Sequence, residues 1–145
     1  MGGVLQHVLD TIAFLVKQKK WVEIVTLIVP EMNDSKEELS DIAQFIRALS
    51  PDIPWHVTAY HQDYKMKTRE MITSSNTLLC AAEIGYSEGL HFVYSGNVMG
   101  HVGENTYCPN CKKLIITRKG YFIERIAMKG QACGYCSHII PGRFQ

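Results

Sequence analysis

Apolar and polar residues alternate along this chain with two different periods, and the change of period marks out its elements. From Val4 to Lys20 the side chains of Leu5, Val8, Leu9, Ile12, Leu15 and Val16 recur three and four apart, which makes one stripe on an amphipathic helix; Lys17, Lys19 and Lys20 suit its C-terminal end. Trp21 to Val29 is a nearly unbroken apolar run, the pattern of a strand buried on both faces of a parallel sheet, and Pro30 ends it. Ser35 and Glu38 fit a capping box for a second helix that buries Leu39, Ile42, Ala43, Ile46 and Leu49, closed by Pro51 and Pro54. From Trp55 to Tyr60 the period falls to two, with Trp55, Val57 and Ala59 on one side and His56, Thr58 and Tyr60 on the other. After a polar loop over 61–73, Ser75 to Ser87 predicts a third helix burying Leu78, Leu79, Ala82 and Cys80, with Gly85 and Gly89 at its frayed end. His91 to Tyr94 predicts a third, short strand.

Strands separated by helices predict an α/β fold, parallel pairing and right-handed crossovers, with function gathered where strands end. Three polar clusters fall at such ends: Glu31 to Asp34, His61 to Met66, and Ser95 to Asn97 continuing through Gly103 to Asn105. They are expected to converge on one rim. For Asn33 and Asp34, starting a helix and contacting a ligand are both open. His61, directly after a strand, leaves the same choice. His56 reads as a satisfied core or face residue rather than a ligand, and Cys80 as a small buried hydrophobe.

Beyond residue 103 the sequence changes character. Cys108-Pro109-Asn110-Cys111 and Cys133-Gly134-Tyr135-Cys136 are two C-x2-C turns with 21 residues between them. Each turn can aim two sulfurs at one point, and together they supply the four thiolates that zinc accepts at about 2.3 Å. The insert reads as the hairpin required: strands at Leu114 to Ile116 and Phe122 to Ile126 around Lys119-Gly120, then a second turn at Lys129-Gly130 and a third short strand within Ser137 to Gly142. Residues 104–145 are therefore expected to form a zinc ribbon, its folded part running from Tyr107 to Gly142. Two disulfides would need an oxidising compartment, for which no signal peptide speaks, and iron suits the same four sulfurs. With four protein ligands the site is closed, which suits a structural metal. Lys112 and Ser137 stand where metal knuckles often carry glycine.

Charge sharpens this division. The 145 residues carry +1 overall, but up to Tyr107 there are 8 basic and 13 acidic side chains (−5), and from Cys108 onward 7 basic and 1 acidic (+6). A four-thiolate zinc centre offsets part of the ribbon's excess, and an acidic partner or the acidic first domain can meet the rest. Nucleic acid is disfavoured because no dense basic cluster interleaves with aromatics. No apolar run approaches the 18 residues of a membrane span, and the cytoplasm is the expected compartment.

One family shares these residues in order. Trp21 to Pro30 with Met32-Asn33-Asp34-Ser35, then Trp55-His56-Val57-Thr58 with His61 to Met66, then Tyr94 to Val98 and Gly103 to Cys111 resemble the C-terminal half of the AmmeMemoRadiSam-system radical SAM enzymes, relatives of the pyruvate formate-lyase activating enzymes. The resemblance implies that 1–103 is the later part of a (β/α) barrel, and that S-adenosylmethionine is contacted by His61, which stands in a Tyr-His setting, and by Asn33 and Asp34. It also implies partners: an N-terminal half of the enzyme, or Memo-like and AMME-type proteins. The chain departs from the family at its defining feature. The C-x3-C-x2-C loop that binds a [4Fe–4S] cluster is absent; Cys80 stands alone and the other four cysteines belong to the ribbon. The expected role is thus part of an enzyme, as a split subunit, a truncated product or an excised fragment, active only if an N-terminal partner supplies the cluster, and a stand-alone ribbon module binding protein or nucleic acid is the alternative. A sheet interrupted at its first strand would expose an edge, to be covered by the first helix or by a homodimer.

Overall fold

The computed structural model describes residues 3–62, 72–98, 102–120 and 122–143. Helix α1 spans Leu5–Lys17, followed by strand β1 (Ile24–Ile28), helix α2 (Lys36–Leu49), strand β2 (Trp55–Ala59), helix α3 (Ser75–Ser87) and strand β3 (Val93–Gly96). The three strands are parallel and lie in chain order β1-β2-β3. In-register pairing of Ile24 with Trp55 and of Trp55 with Val93 puts Ile24, Thr26, Ile28, Trp55, Val57, Ala59, Val93 and Ser95 on one face. Both α2 and α3 pack there: Leu39, Ala43 and Ile46 from α2 and Leu78 and Ala81 from α3 join Ile28, Trp55, Val57, Ala59 and Val93 in one buried core.

Both helices cover the same face, so the other one, carrying Val25, Leu27, His56, Thr58 and Tyr94, has no helix on it; it is exposed at β1 and meets the ribbon at Tyr94. The expectation that Trp21 to Val29 is buried on both faces is therefore corrected. Val25 and Leu27 are 66% and 45% exposed, and β1 is a sheet edge. Helix α1 does not cover them; Val16 alone of its stripe packs on the core, while Leu5 and Val8 remain exposed. Among the described residues the sheet stays open at three strands, and no closed barrel forms.

Helix ends follow the sequence closely. The Ser35 hydroxyl accepts from Glu38 N at 3.2 Å and the Ser74 hydroxyl from Thr77 N at 3.1 Å. Helix α3 buries Leu78, Ala81 and Gly85; of the other expected residues Ala82 packs partly buried against the core, Leu79 is exposed and Cys80 half-buried. Gly85 shifts the face, since a Cβ there would lie 2.9 Å from Val93 Cγ2 and 3.0 Å from the Trp55 ring, so helix and sheet meet where only glycine fits. Strand β3 starts two residues later than expected, which moves Ser95 and Gly96 from the loop into the sheet.

The remainder is a small antiparallel unit. After a 3-10 turn at Val102–Glu104, β4 (Thr106–Tyr107), β5 (Leu114–Lys119) and β6 (Phe122–Ile126) form one sheet, and β7 (Met128–Lys129) pairs with β8 (Ala132–Cys133). The expected tail strand reduces to a single bridge between Ala132 and Ile139. Phe92 and Tyr94 pack into the same cluster as Cys108, Cys133 and Ile140, so the ribbon is seated against β3. No described helix is long and apolar enough to cross a membrane.

Candidate metal centre and adjoining cleft

The four cysteines of the ribbon come together. Their sulfurs all lie within 4.8 Å of one another and could hold a metal ion. Cys108 and Cys136 sulfurs are 3.6 Å apart, and those of Cys111 and Cys133 3.7 Å. A tetrahedron with bonds of about 2.3 Å has edges of about 3.8 Å, so the cage already has the dimensions of a four-thiolate centre. Disulfides, with sulfurs about 2.05 Å apart, are not formed.

Two matching turns build the cage. Lys112 N donates to Cys108 O at 2.9 Å, and Ser137 N to Cys133 O at 2.9 Å. Lys112 and Ser137 sit at φ 59° and 61°, so both adopt the left-handed conformation that glycine usually supplies, at a cost of about 1–2 kcal/mol each. The backbone N–H of His138, helped by the Asn110 amide and the neighbouring thiols, holds Cys136 down to about 6 against burial. The Lys113 backbone acts on Cys111 in the same direction, yet burial and hydrogen bonds with Cys136, Cys108 and Cys133 push that thiol up to about 11. The cage thus shares protons unevenly, and a bound cation would displace those that remain.

Beside the ribbon, the open face of the sheet borders a cleft of about 1180 Å³. Its floor is polar and aromatic. His56 Nε2 lies 3.0 Å from Glu23 Oε2, and the His56 ring stacks on Tyr94 at 5.2 Å. Tyr94 shares a 3.0 Å hydrogen bond with Thr106, and burial keeps its phenol protonated above the usual tyrosine range. Arg118, from β5, lies 5.6 Å from the Tyr94 ring and donates to Thr106 Oγ1 at 2.7 Å and to Glu104 O at 3.0 Å.

The polar clusters at the strand ends do not all converge. His61 lines the cleft, its Nε2 2.8 Å from Asn97 O, and Asn97 Nδ2 donates to Ala59 O at 3.1 Å. Asn33 instead serves β1: its Nδ2 donates to Leu27 O at 3.0 Å and its Oδ1 accepts from Val29 N at 2.7 Å, while Asp34 Oδ1 accepts from Glu31 N at 2.9 Å. Neither Asn33 nor Asp34 lines the cleft. Asn105 and Glu104 fasten the ribbon hairpin, accepting from Arg118 N and Gly120 N at 2.8 Å each. Asp63 to Met66 lie outside the described residues.

Glu23, Tyr94 and Arg118 were not singled out by sequence reasoning. The alternation of Trp55, Val57 and Ala59 was signal enough to put His56 on the opposite face, in register with Tyr94. Arg118 gave none, because its place depends on how the hairpin docks.

The chain is 45% identical over 117 residues to an uncharacterized protein of Methanocaldococcus jannaschii, a match that covers 80% of this chain and 35% of that protein. It thus spans about a third of the length of the relative it matches. No protein-family profile matches the chain, and no solved structure matches it significantly.

Proposed function

We propose that this chain is the late-barrel and ribbon portion of a radical SAM activating-type enzyme, with zinc held structurally by Cys108, Cys111, Cys133 and Cys136. The observation that carries the reading is the sheet: three parallel strands in chain order, both helices on one face, and the other face opening on a cleft that His61 lines. That is how a segment of a (β/α) barrel is laid out, with its inner face toward the ligand.

Zinc suits the donor set, being borderline-soft and tetrahedral, and four protein ligands leave it no open position for chemistry. A [4Fe–4S] cluster does not fit this chain. The four clustered thiols form one closed cage and Cys80 is alone on α3, so a cluster would have to be held by cysteines outside these 145 residues. Within this chain His61, with Nε2 engaged by Asn97 O, offers Nδ1 to S-adenosylmethionine. Asn33 and Asp34 act by shaping the loop that follows β1.

The deciding experiment is metal analysis of the chain alone and after co-expression with a cluster-bearing chain. One zinc and no iron alone, with iron, sulfide and S-adenosylmethionine cleavage in the complex, is the expected result. Iron and cleavage activity in the chain alone would overturn the reading. A stand-alone ribbon module is the second reading, favoured by a cationic groove on the ribbon's outer side.

A further inference from the structure

Scattered along the sequence, the ribbon's cations and aromatics give no sign of a nucleic-acid surface, yet folding gathers three of them. Lys113, Arg125 and Tyr135 line one groove of about 290 Å³, together with Leu114, Ile115, Thr117 and Ala127. Two local features bring them there. The antiparallel register of β5 and β6 sets Arg125 opposite Thr117. The paired cysteine turns bring Lys113 over the ring of Tyr135, with Nζ 4.9 Å from the ring centroid.

The groove lies on the outer side of the ribbon. Thr117 faces it, whereas Ile116 and Arg118, its neighbours on β5, line the cleft on the opposite face. Among the described residues no carboxylate pairs with Lys113 or Arg125, and none lines the groove. Tyr135 is 46% exposed, with Lys113 Nζ over its ring.

We infer that this groove binds single-stranded nucleic acid, with phosphates against Lys113 and Arg125 and a base against Tyr135. Two unpaired cations flanking a groove attract phosphodiesters, and an exposed ring stacks a base of any sequence. An acidic peptide would use the cations but gain nothing from the ring. The volume is at the bottom of the range for small-molecule pockets, about 300 Å³, which suits one passing nucleotide better than an enclosed cofactor. No barrel residue takes part, so the inference stands or falls separately from the radical-enzyme reading.

The test is fluorescence anisotropy of a labelled oligothymidylate with the metal-loaded full chain, and polyglutamate as competitor. Saturable binding is expected, weakening about sevenfold between about 50 and about 200 mM salt, as two phosphate contacts to a single strand predict. Arg125→Gln and Lys113→Gln should each weaken it and flatten that salt dependence. Tyr135→Leu should weaken it about fivefold or more with the salt dependence unchanged. Lys129→Gln, on the ribbon but outside the groove, should bind like wild type. Metal content checks the fold of each variant; should Tyr135→Leu lose metal, Arg125→Gln, on a strand away from the cysteines, decides. Absence of saturable binding, an equal loss in Lys129→Gln, or displacement by polyglutamate at matched charge would each overturn the inference, the last in favour of an acidic protein partner.

Discussion

The imidazole of His61 and the carbonyl of Asn97 meet at 2.8 Å, tying the end of β2 to the residue that follows β3. A carbonyl only accepts, so Nε2 carries the proton and Nδ1 is the nitrogen left for a ligand. Titration of the isolated chain with S-adenosylmethionine, followed by NMR, should give small shifts around His61 and Asn97 and an affinity no tighter than about millimolar, near −4 kcal/mol. In His61→Ala these shifts should vanish. Shifts that persist there would remove His61 from the cofactor site.

Asn33 offers the converse test. Its two hydrogen bonds to the backbone of β1 and the residue after it predict that Asn33→Ala loses about 1–3 kcal/mol of stability, read by chemical denaturation. Ligand-induced shifts at His61 should be unaltered. A binding defect without a stability defect would restore Asn33 as a contact residue.

Metal removal should be local at first. Because a four-thiolate site and its fold form together, chelation is expected to unfold residues after Tyr107 while the helices keep their circular dichroism. Affinity for zinc should fall as pH is lowered, since protons and metal compete for the same sulfurs. One zinc per chain is the expected stoichiometry; an ordered ribbon without metal would contradict it.

Gly85→Ala should destabilise the α/β part by about 1–3 kcal/mol, because the new methyl group meets Val93 and Trp55 with no room to move. Thermal melting checks this, and metal content should stay the same. A neutral result would mean that α3 can lift away from the sheet.

The edge at β1, with Val25 and Leu27 exposed, predicts self-association or capture by a second chain. Light scattering should show a species larger than a monomer at high concentration, dispersed by Val25→Lys. A monomer at every concentration would refute self-association.

Sequence periodicity located all three helices and strands because each carries a whole face to one core. Its errors share a cause. Whether Trp21 to Val29 is buried on two faces depends on what lies beyond β1, which local pattern does not encode. The α3 face shifted because Gly85, apolar by absence of a side chain, packs more tightly than Leu79 can. For the four-cysteine cage, spacing alone was sufficient, since a C-x2-C turn is a local structure; Lys112 and Ser137 then take the left-handed conformation despite their side chains. The cleft was less legible. Glu23, Tyr94 and Arg118 meet only because Asn105 and Glu104 fix the hairpin beside β3.

Phe92 has two allegiances: its side chain is buried among the cysteines, and its carbonyl accepts from Trp55 N at 3.0 Å. With a metal held in the cage, its loss would uncover an aromatic residue anchored in the sheet, the kind of surface that proteases and chaperones survey. The amount of this protein in a cell would then track its metal supply, scarcity being read out as turnover.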